Sequence, residues 1–145
     1  MVFSKKNIAI IVVVIVIILA GYSYKEYYRK PADITTIEPA AKINVAAIVE
    51  LYQNDESKAN QQYLNKTIQV EGTITQIINQ QDTLINVFMG DTNSVSNVSC
   101  LLDKKYFNGI KKYTVGQPIT IKGICTGFLL DVELNRCVIV QQNNQ

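Results

Sequence analysis

The hydrophobic positions along the chain fall into three regimes. From Ile8 to Tyr22 they run on without a charge, as IAIIVVVIVIILAGY, 15 residues. From Asn44 they recur at helical spacing: Val45, Ile48, Val49 and Tyr52 stand at i, i+3, i+4 and i+7. That spacing gathers them on one stripe of a helix of about three turns. Asn44, just ahead, offers a side-chain oxygen to the unpaired N–H groups of the first turn. Asn54-Asp55 interrupts the pattern, and Asp55 is placed to cap a second short helix through Ala59 and Tyr63, ending near Asn65. From Thr67 the period changes to two.

Ile68, Val70, Gly72 and Ile74 alternate with Gln69, Glu71, Thr73 and Thr75, which predicts a half-buried strand to about Ile78. Asn79-Gln80-Gln81-Asp82 reads as a hairpin turn, Leu84 to Met89 as a second strand, and Gly90 to Ser94 as the next turn. Val95 to Leu102 reads as a third strand, with Val98, Cys100 and Leu102 on one face. Asp103 to Tyr113 reads as an amphipathic helix: Tyr106, Phe107 and Ile110 face in, Lys104, Lys105, Lys111 and Lys112 face out. After a turn at Gly116-Gln117-Pro118, a fourth strand carries Ile119, Ile121, Gly123 and Cys125 inward. Gly127 and Phe128 fall at the next turn, and Leu130, Val132 and Leu134 alternate in a fifth strand. Cys137 and Ile139 are out of phase with that set. One extra residue near Asn135-Arg136, a β-bulge, restores a single face. The last five residues, QQNNQ, form a polar tail.

The expected order is two helices, three strands, a helix and two strands. A helix between the third and fourth of five antiparallel strands is the layout of the OB-fold, a partly open Greek-key barrel. The expected fold is therefore mainly β: a five-stranded OB-fold barrel preceded by two short helices and an N-terminal transmembrane helix. Gly72 and Gly123, midway in the first and fourth strands, suit the bends of strongly coiled barrel strands.

The apolar run, extended to Tyr24, is 17 residues long, at the short end of the ~17–25 needed to span a bilayer. Tyr22, Tyr24, Tyr27 and Tyr28 follow as an interfacial aromatic belt would. A cleaved signal peptide competes with this reading, with Lys5 and Lys6 as its charged region. Ile18 then stands where a cleavage site wants a small residue. Ile18-Leu19-Ala20-Gly21 opens like a lipobox, but Tyr22 stands where lipidation needs Cys. A buried core helix is the third reading, and no amphipathic face marks one. An uncleaved anchor fits best. The expected organisation is a charged head over 1–7, an anchor over 8–24, a tether over 25–42, the barrel with its helices over 43–140 and the tail over 141–145. A short charged head stays in the cytoplasm, so the expected location is the bacterial cytoplasmic membrane, crossed once, with the C-terminal domain outside.

Charge sharpens this division. Fourteen Lys and Arg against 12 Asp and Glu give +2 overall. Residues 1–42 carry six basic and three acidic residues, net +3; residues 43–145 carry eight and nine, net −1. The excess basic charge thus flanks the apolar run, where it can meet anionic headgroups, although ordinary topology and solubility charges are the favoured reading. The chain has no His, which removes the commonest general base and the usual zinc and haem ligands.

The stretches ANQQYLNKTIQVEGTITQI, VSC and VGQPITIKGICTGFLLDVELNRCVIV resemble the tRNA-anti-like family of OB-fold proteins, over about residues 43–140. The resemblance implies the OB-fold and an envelope setting, since that family includes many small bacterial lipoproteins and membrane-anchored proteins. It implies no tRNA binding and supplies no site residues. Tyr22 departs from the lipoprotein members and implies a protein anchor rather than a lipid one.

Single-strand binding by an OB-fold needs a positive groove and exposed aromatics for base stacking. No Lys or Arg occurs between Lys66 and Lys104, and the second and third strands offer only Phe88 beside Asn86, Ser96, Asn97 and Ser99. Nucleic acid is therefore the lesser reading. No HExxH, CxxC, GxSxG or P-loop is present, and Asp131 and Glu133 at i, i+2 read as solubilising acids. Neither an enzyme nor a cofactor or metal is expected. Cys100, Cys125 and Cys137 fall on inward phases, as small core hydrophobes do. If the domain is exported, a disulfide becomes possible, and Cys100 with Cys137 is preferred because the third and fifth strands of such a barrel run side by side. Binding remains, on the face of the second and third strands and the loops Asn79–Thr83 and Thr126–Leu129. The expected contact residues are Asn86, Phe88, Asn97, Lys122 and Phe128, and the expected partner is an envelope protein, a peptide or a saccharide.

Overall fold

The structure, a computed structural model, describes residues 5–27, 33–80, 84–91, 95–103 and 106–140. The start of the charged head, Tyr28, the turn residues Gln81 and Asp82, residues 92–94, Lys104, Lys105 and the polar tail lie outside the described residues. The chain forms two compact units, Met1–Ala32 and Asp33–Gln145.

The described residues of the first unit form one helix, α1 (Lys5–Tyr27), of 23 residues, about 35 Å long at 1.5 Å per residue. Its side chains are described at 14–24 and 27, where Val14 to Leu19 are all exposed. Among the described residues no helix is long and apolar enough to cross a membrane. The span expected over 8–24 is thus helical but lacks that support: from Val14 the apolar series ends at Ala20 and passes into Gly21, Tyr22, Ser23 and Tyr24.

The second unit opens with a short strand that the sequence reading did not anticipate, β1 (Ala41–Asn44). Two helices follow, α2 (Val45–Asn54) and α3 (Glu56–Tyr63). Both capping expectations hold: Asn44 Oδ1 accepts from the Ala46 N–H at 2.8 Å and Asp55 Oδ1 from the Lys58 N–H at 2.9 Å. The buried stripe of α2 is Val45, Ile48, Val49 and Tyr52, the four residues that the spacing selects.

Five long strands follow: β2 (Thr67–Gln80), β3 (Leu84–Met89), β4 (Val98–Asp103), β5 (Pro118–Phe128) and β6 (Val132–Ile139), with a short helix α4 (Phe107–Ile110) before β5. The sheet order is β1-β2-β3-β4-β6-β5, and β2 also pairs with β5, which closes the barrel. The closed set β2 to β6 with its helix between β4 and β5 is the expected OB-fold. β4 and β6 run parallel, the other barrel pairs antiparallel. Inward residues of every strand form one core, including Ile68, Val70, Val87, Leu102, Ile121 and Leu134.

Several boundaries differ from the sequence reading. The helix expected over 103–113 is four residues long, and the chain turns after Ile110, with Tyr113 N–H bonded to Ile110 O. β2 runs two residues into the expected turn, through Gln80. β4 begins at Val98, leaving Val95 96% exposed. β5 continues through Phe128, so the turn comes later and Leu130 lies in it, 81% exposed, not in the fifth strand. The predicted bulge is present: Arg136 has φ +55, and the register of β6 against both neighbours shifts there.

The two mid-strand glycines serve close approach. A Cβ on Gly72 would collide with the Val45 side chain, so glycine lets α2 seat on the barrel. A Cβ on Gly123 would stand 2.6 Å from Cys137 Sγ. Cys100, Cys125 and Cys137 are buried free thiols. The expected Cys100–Cys137 bridge is therefore not formed, although the pairing of Cys100 with Leu134 and of Leu102 with Cys137 does make the two strands neighbours.

Candidate ligand-binding face

In β3 the burial alternates residue by residue, with Ile85, Val87 and Met89 inward. Asn86 and Phe88 must then point out of the barrel. Pairing aligns two rows across the outer surface. Phe88 lies between Gln76 of β2 and Ser99 of β4, and Ser99 pairs in turn with Glu133 of β6. Asn86 lies between Ile78 and Leu101. Gln76 and Ile78 are exposed, and Asn86, Phe88, Ser99, Leu101 and Glu133 half-buried. The Ser99 hydroxyl donates to Asn86 Oδ1 at 3.0 Å, fixing the amide beside the ring. This face therefore offers one aromatic, amides and a hydroxyl, with a single carboxylate and no cation among the residues of the two rows.

Gln76 and Ile78 escape a strict alternation, because β2 carries an irregularity between Ile74 and Gln76. Beyond it Ile77 turns inward and Ile78 outward. The adjacent pair Ile77-Ile78 is the sequence trace of this slip, since two neighbours cannot share one face of a regular strand.

The other expected contact residues are placed elsewhere. Asn97 sits just before β4, where its N–H donates to Asp131 Oδ1 at 2.7 Å and its carbonyl accepts from Val132 N–H at 3.0 Å. Its Oδ1 is buried without a partner. Asp131 thus ties the β5–β6 turn to the approach to β4. Lys122 is 8% exposed, and its Nζ donates to the carbonyls of Thr35 and Ile37, both at 2.9 Å. Phe128 stacks on Tyr52 of α2, centroids 5.6 Å apart. The structure brings together Asn86 and Phe88, sets Asn97 at a neighbouring loop, and engages Lys122 and Phe128 within the fold.

The perturbed titrating groups lie in the core. Burial pushes the Tyr52 hydroxyl above its ordinary value, and its 3.2 Å hydrogen bond with the Cys125 thiol adds to this. Burial likewise raises the Cys137 thiol, with its hydrogen bond to Cys100 adding to this. Among the described residues no group of three or more His, Cys, Asp or Glu is placed to hold a metal ion.

Comparison with known proteins adds the following. The tRNA_anti-like family profile matches residues 1–139. A lipoprotein from Klebsiella pneumoniae subsp. pneumoniae, described as a candidate nucleic acid binder, superposes with a TM-score of 0.58 at 17% identity, covering 77% of this chain and 100% of that one. The asparaginyl-tRNA synthetase of Entamoeba histolytica gives a TM-score of 0.40 at 16% identity over 55% of this chain and 21% of that one. The OBody NL8, solved bound to hen egg-white lysozyme, gives 0.39 at 13% identity over 55% and 99%. No curated protein sequence matches the chain.

Proposed function

We propose that this chain, which belongs to the tRNA_anti-like family, is a non-enzymatic binding module of the bacterial envelope that takes an uncharged polar partner, a peptide segment or a saccharide, on the outer face of β3 and β4. The observation that carries this reading is the content of the face: Phe88 framed by Gln76, Asn86 and Ser99, with Glu133 the one charge in the rows. An aromatic ring flanked by amide and hydroxyl groups suits a sugar ring or a peptide backbone. A phosphate backbone takes most of its affinity from cations that release counterions, and here a carboxylate stands where a cation is wanted. Membrane tethering by α1 is part of the proposal. It is supported by the 15-residue uncharged run within a 23-residue helix and by the basic charges around it. A catalytic role has no support in the face, which carries one ionisable group in its rows.

Single-stranded nucleic acid is the second reading. Phe88 on the strand pair that OB-folds use as a platform favours it, as does the description of the Klebsiella lipoprotein. Retention on immobilised oligo-dT separates the two. The expected result is no retention even at low salt; retention that falls steeply with salt would replace the first reading by the second. A reporter fused after Gln145, active only outside the cytoplasmic membrane, tests the location. Activity is expected, and a cytoplasmic signal removes the envelope setting.

A further inference from the structure

We propose that the free edge of β2, at Ile77 and Asn79, takes an extended neutral peptide segment as an added strand. The backbone pairing defines this edge. Gly90 N–H bonds to Thr73 O at 2.9 Å, so Thr73 and Gly90 turn their backbone groups toward each other. Every second residue of β3 from there, Phe88, Asn86 and Leu84, then turns its own toward β2. Their partners on β2 are Gln76, Ile78 and Gln80. Ile77 and Asn79 therefore turn their N–H and C=O groups to the other side. On that side β5 pairs only as far as Thr73 with Pro118, and Ile74 is met by Gln117 O at 3.0 Å and Gly116 N–H at 2.8 Å. Beyond this, no backbone hydrogen bond reaches Ile77 or Asn79 from that side among the described residues.

Natural sheets protect such edges with lysine, proline or a bulge. Residues 75–80, TQIINQ, hold no charge, no proline and no glycine, and the irregularity of β2 lies at the Ile74–Gln76 end. Gln76, Ile78 and Asn79 are exposed. Two further observations choose the occupant. Donors and acceptors at every second residue match the repeat of an extended peptide, and neither a sugar ring nor a phosphate backbone has an amide repeat to answer them. β2 also takes such a strand already: β1, outside the closed five, adds in parallel along residues 68–71 on the edge opposite β5. A strand added at Ile77 and Asn79 lies about 4.8 Å from β2. Its alternate side chains fall beside Gln76 and Ile78 and prolong the rows of Phe88 and Asn86 by one strand. The proposal rests on the reading of that face as a site for a neutral partner, and narrows the partner to a peptide.

The test is a titration of the full-length ¹⁵N-labelled chain in detergent micelles, read by amide shifts. The probes are acetyl-Thr-Val-Thr-Val-Thr-amide, the same peptide N-methylated at both valines, and the peptide N-methylated throughout. Saturable shifts at Ile77 and Asn79 are expected with the first two. Their affinities should agree within about threefold, because alternate N-methylation leaves one strand edge intact. Full N-methylation removes both edges and should weaken binding at least about tenfold. Asn79→Pro, a change that an edge strand tolerates, removes one donor and should weaken the parent peptide about fivefold. Phe88→Ala should leave the shifts at Ile77 and Asn79 in place. No saturable shift at these two residues, or equal binding of the fully methylated peptide, would overturn the proposal. Saturable shifts at Phe88 and Ser99 without them would overturn the added strand and keep the face. Shifts at Ile77 and Asn79 that grow with protein concentration, without peptide, would also overturn it and give the edge to a second copy of the chain.

Discussion

Two parts of the same barrel surface have opposite fates. On β5 the outward residues Thr120 and Lys122 are buried, at 4% and 8% exposure. The chain's own arm lies there: Ile34 is 3% exposed, Thr35 and Ile37 give their carbonyls to Lys122, and Ala40 N–H bonds to Thr67 O before β1 pairs along β2. On β3 and β4 the outward residues Asn86, Phe88, Ser99 and Leu101 are half-buried, and nothing from the described residues is hydrogen-bonded over them beyond their own pair. Pointing outward does not make a surface. What the chain lays over a strand decides whether its outward residues become core or binding face. Lys122 shows this most clearly: a cation on an outward phase reads as a ligand contact, and its partners are two backbone carbonyls.

The contrast can be broken from the covered side first. Ile34→Ala empties a buried site and should lower stability by about 2–5 kcal/mol, read by chemical denaturation. Hydrogen exchange over 33–40 should accelerate in the same variant. Lys122→Met keeps the stem and removes the donor. It leaves two carbonyls without their partner and should cost about 1–3 kcal/mol; an unchanged denaturation midpoint would mean that the arm is held by its apolar contacts alone.

The interior shared by both parts gives a pH signature. The Cys137 thiol is raised by burial, so the folded state keeps a proton that the unfolded chain loses above about pH 8.5. Its contribution is complete below that pH and falls as the pH rises toward the folded value, by about 1.4 kcal/mol per unit. Alkaline denaturation of Cys137→Ala should be flatter than that of the native chain by this amount. Superimposable slopes would remove the thiol from the alkaline limb.

The smallest structural effect is expected on the open side. Phe88 is half-buried, so Phe88→Ala should cost less than about 1 kcal/mol of stability, well below a core Phe truncation. It should nevertheless abolish binding at the face. A stability loss as large as that of Ile34→Ala would show that Phe88 belongs to the core.

Much of the fold was legible because the patterns were local. The stripe Val45, Ile48, Val49 and Tyr52, the two caps, the second strand and the bulge near Arg136 each follow from spacing within about a dozen residues. The helix expected over 103–113 is a single turn, because lysines flanking Tyr106 and Ile110 carry on a helical period that the chain itself leaves after Ile110. The candidate site was half legible. Alternation puts Asn86 and Phe88 outward, while Lys122 and Phe128 are claimed by partners 85 and more residues away for the lysine and by a helix in front of the barrel for the ring. No local period reports such contacts. Strand β1 and the arm escaped for the same reason, since their sequence carries no alternation strong enough to predict a strand.

The most direct measurement is an amide-shift titration of the labelled chain, at low salt, with a neutral oligosaccharide and a neutral peptide panel on one arm and oligo-dT on the other. Saturable shifts at Gln76, Asn86, Phe88 and Ser99 with a neutral probe, lost in Phe88→Ala and insensitive to salt, are the predicted result. Shifts of those same amides with oligo-dT, fading steeply as salt is raised, would contradict it.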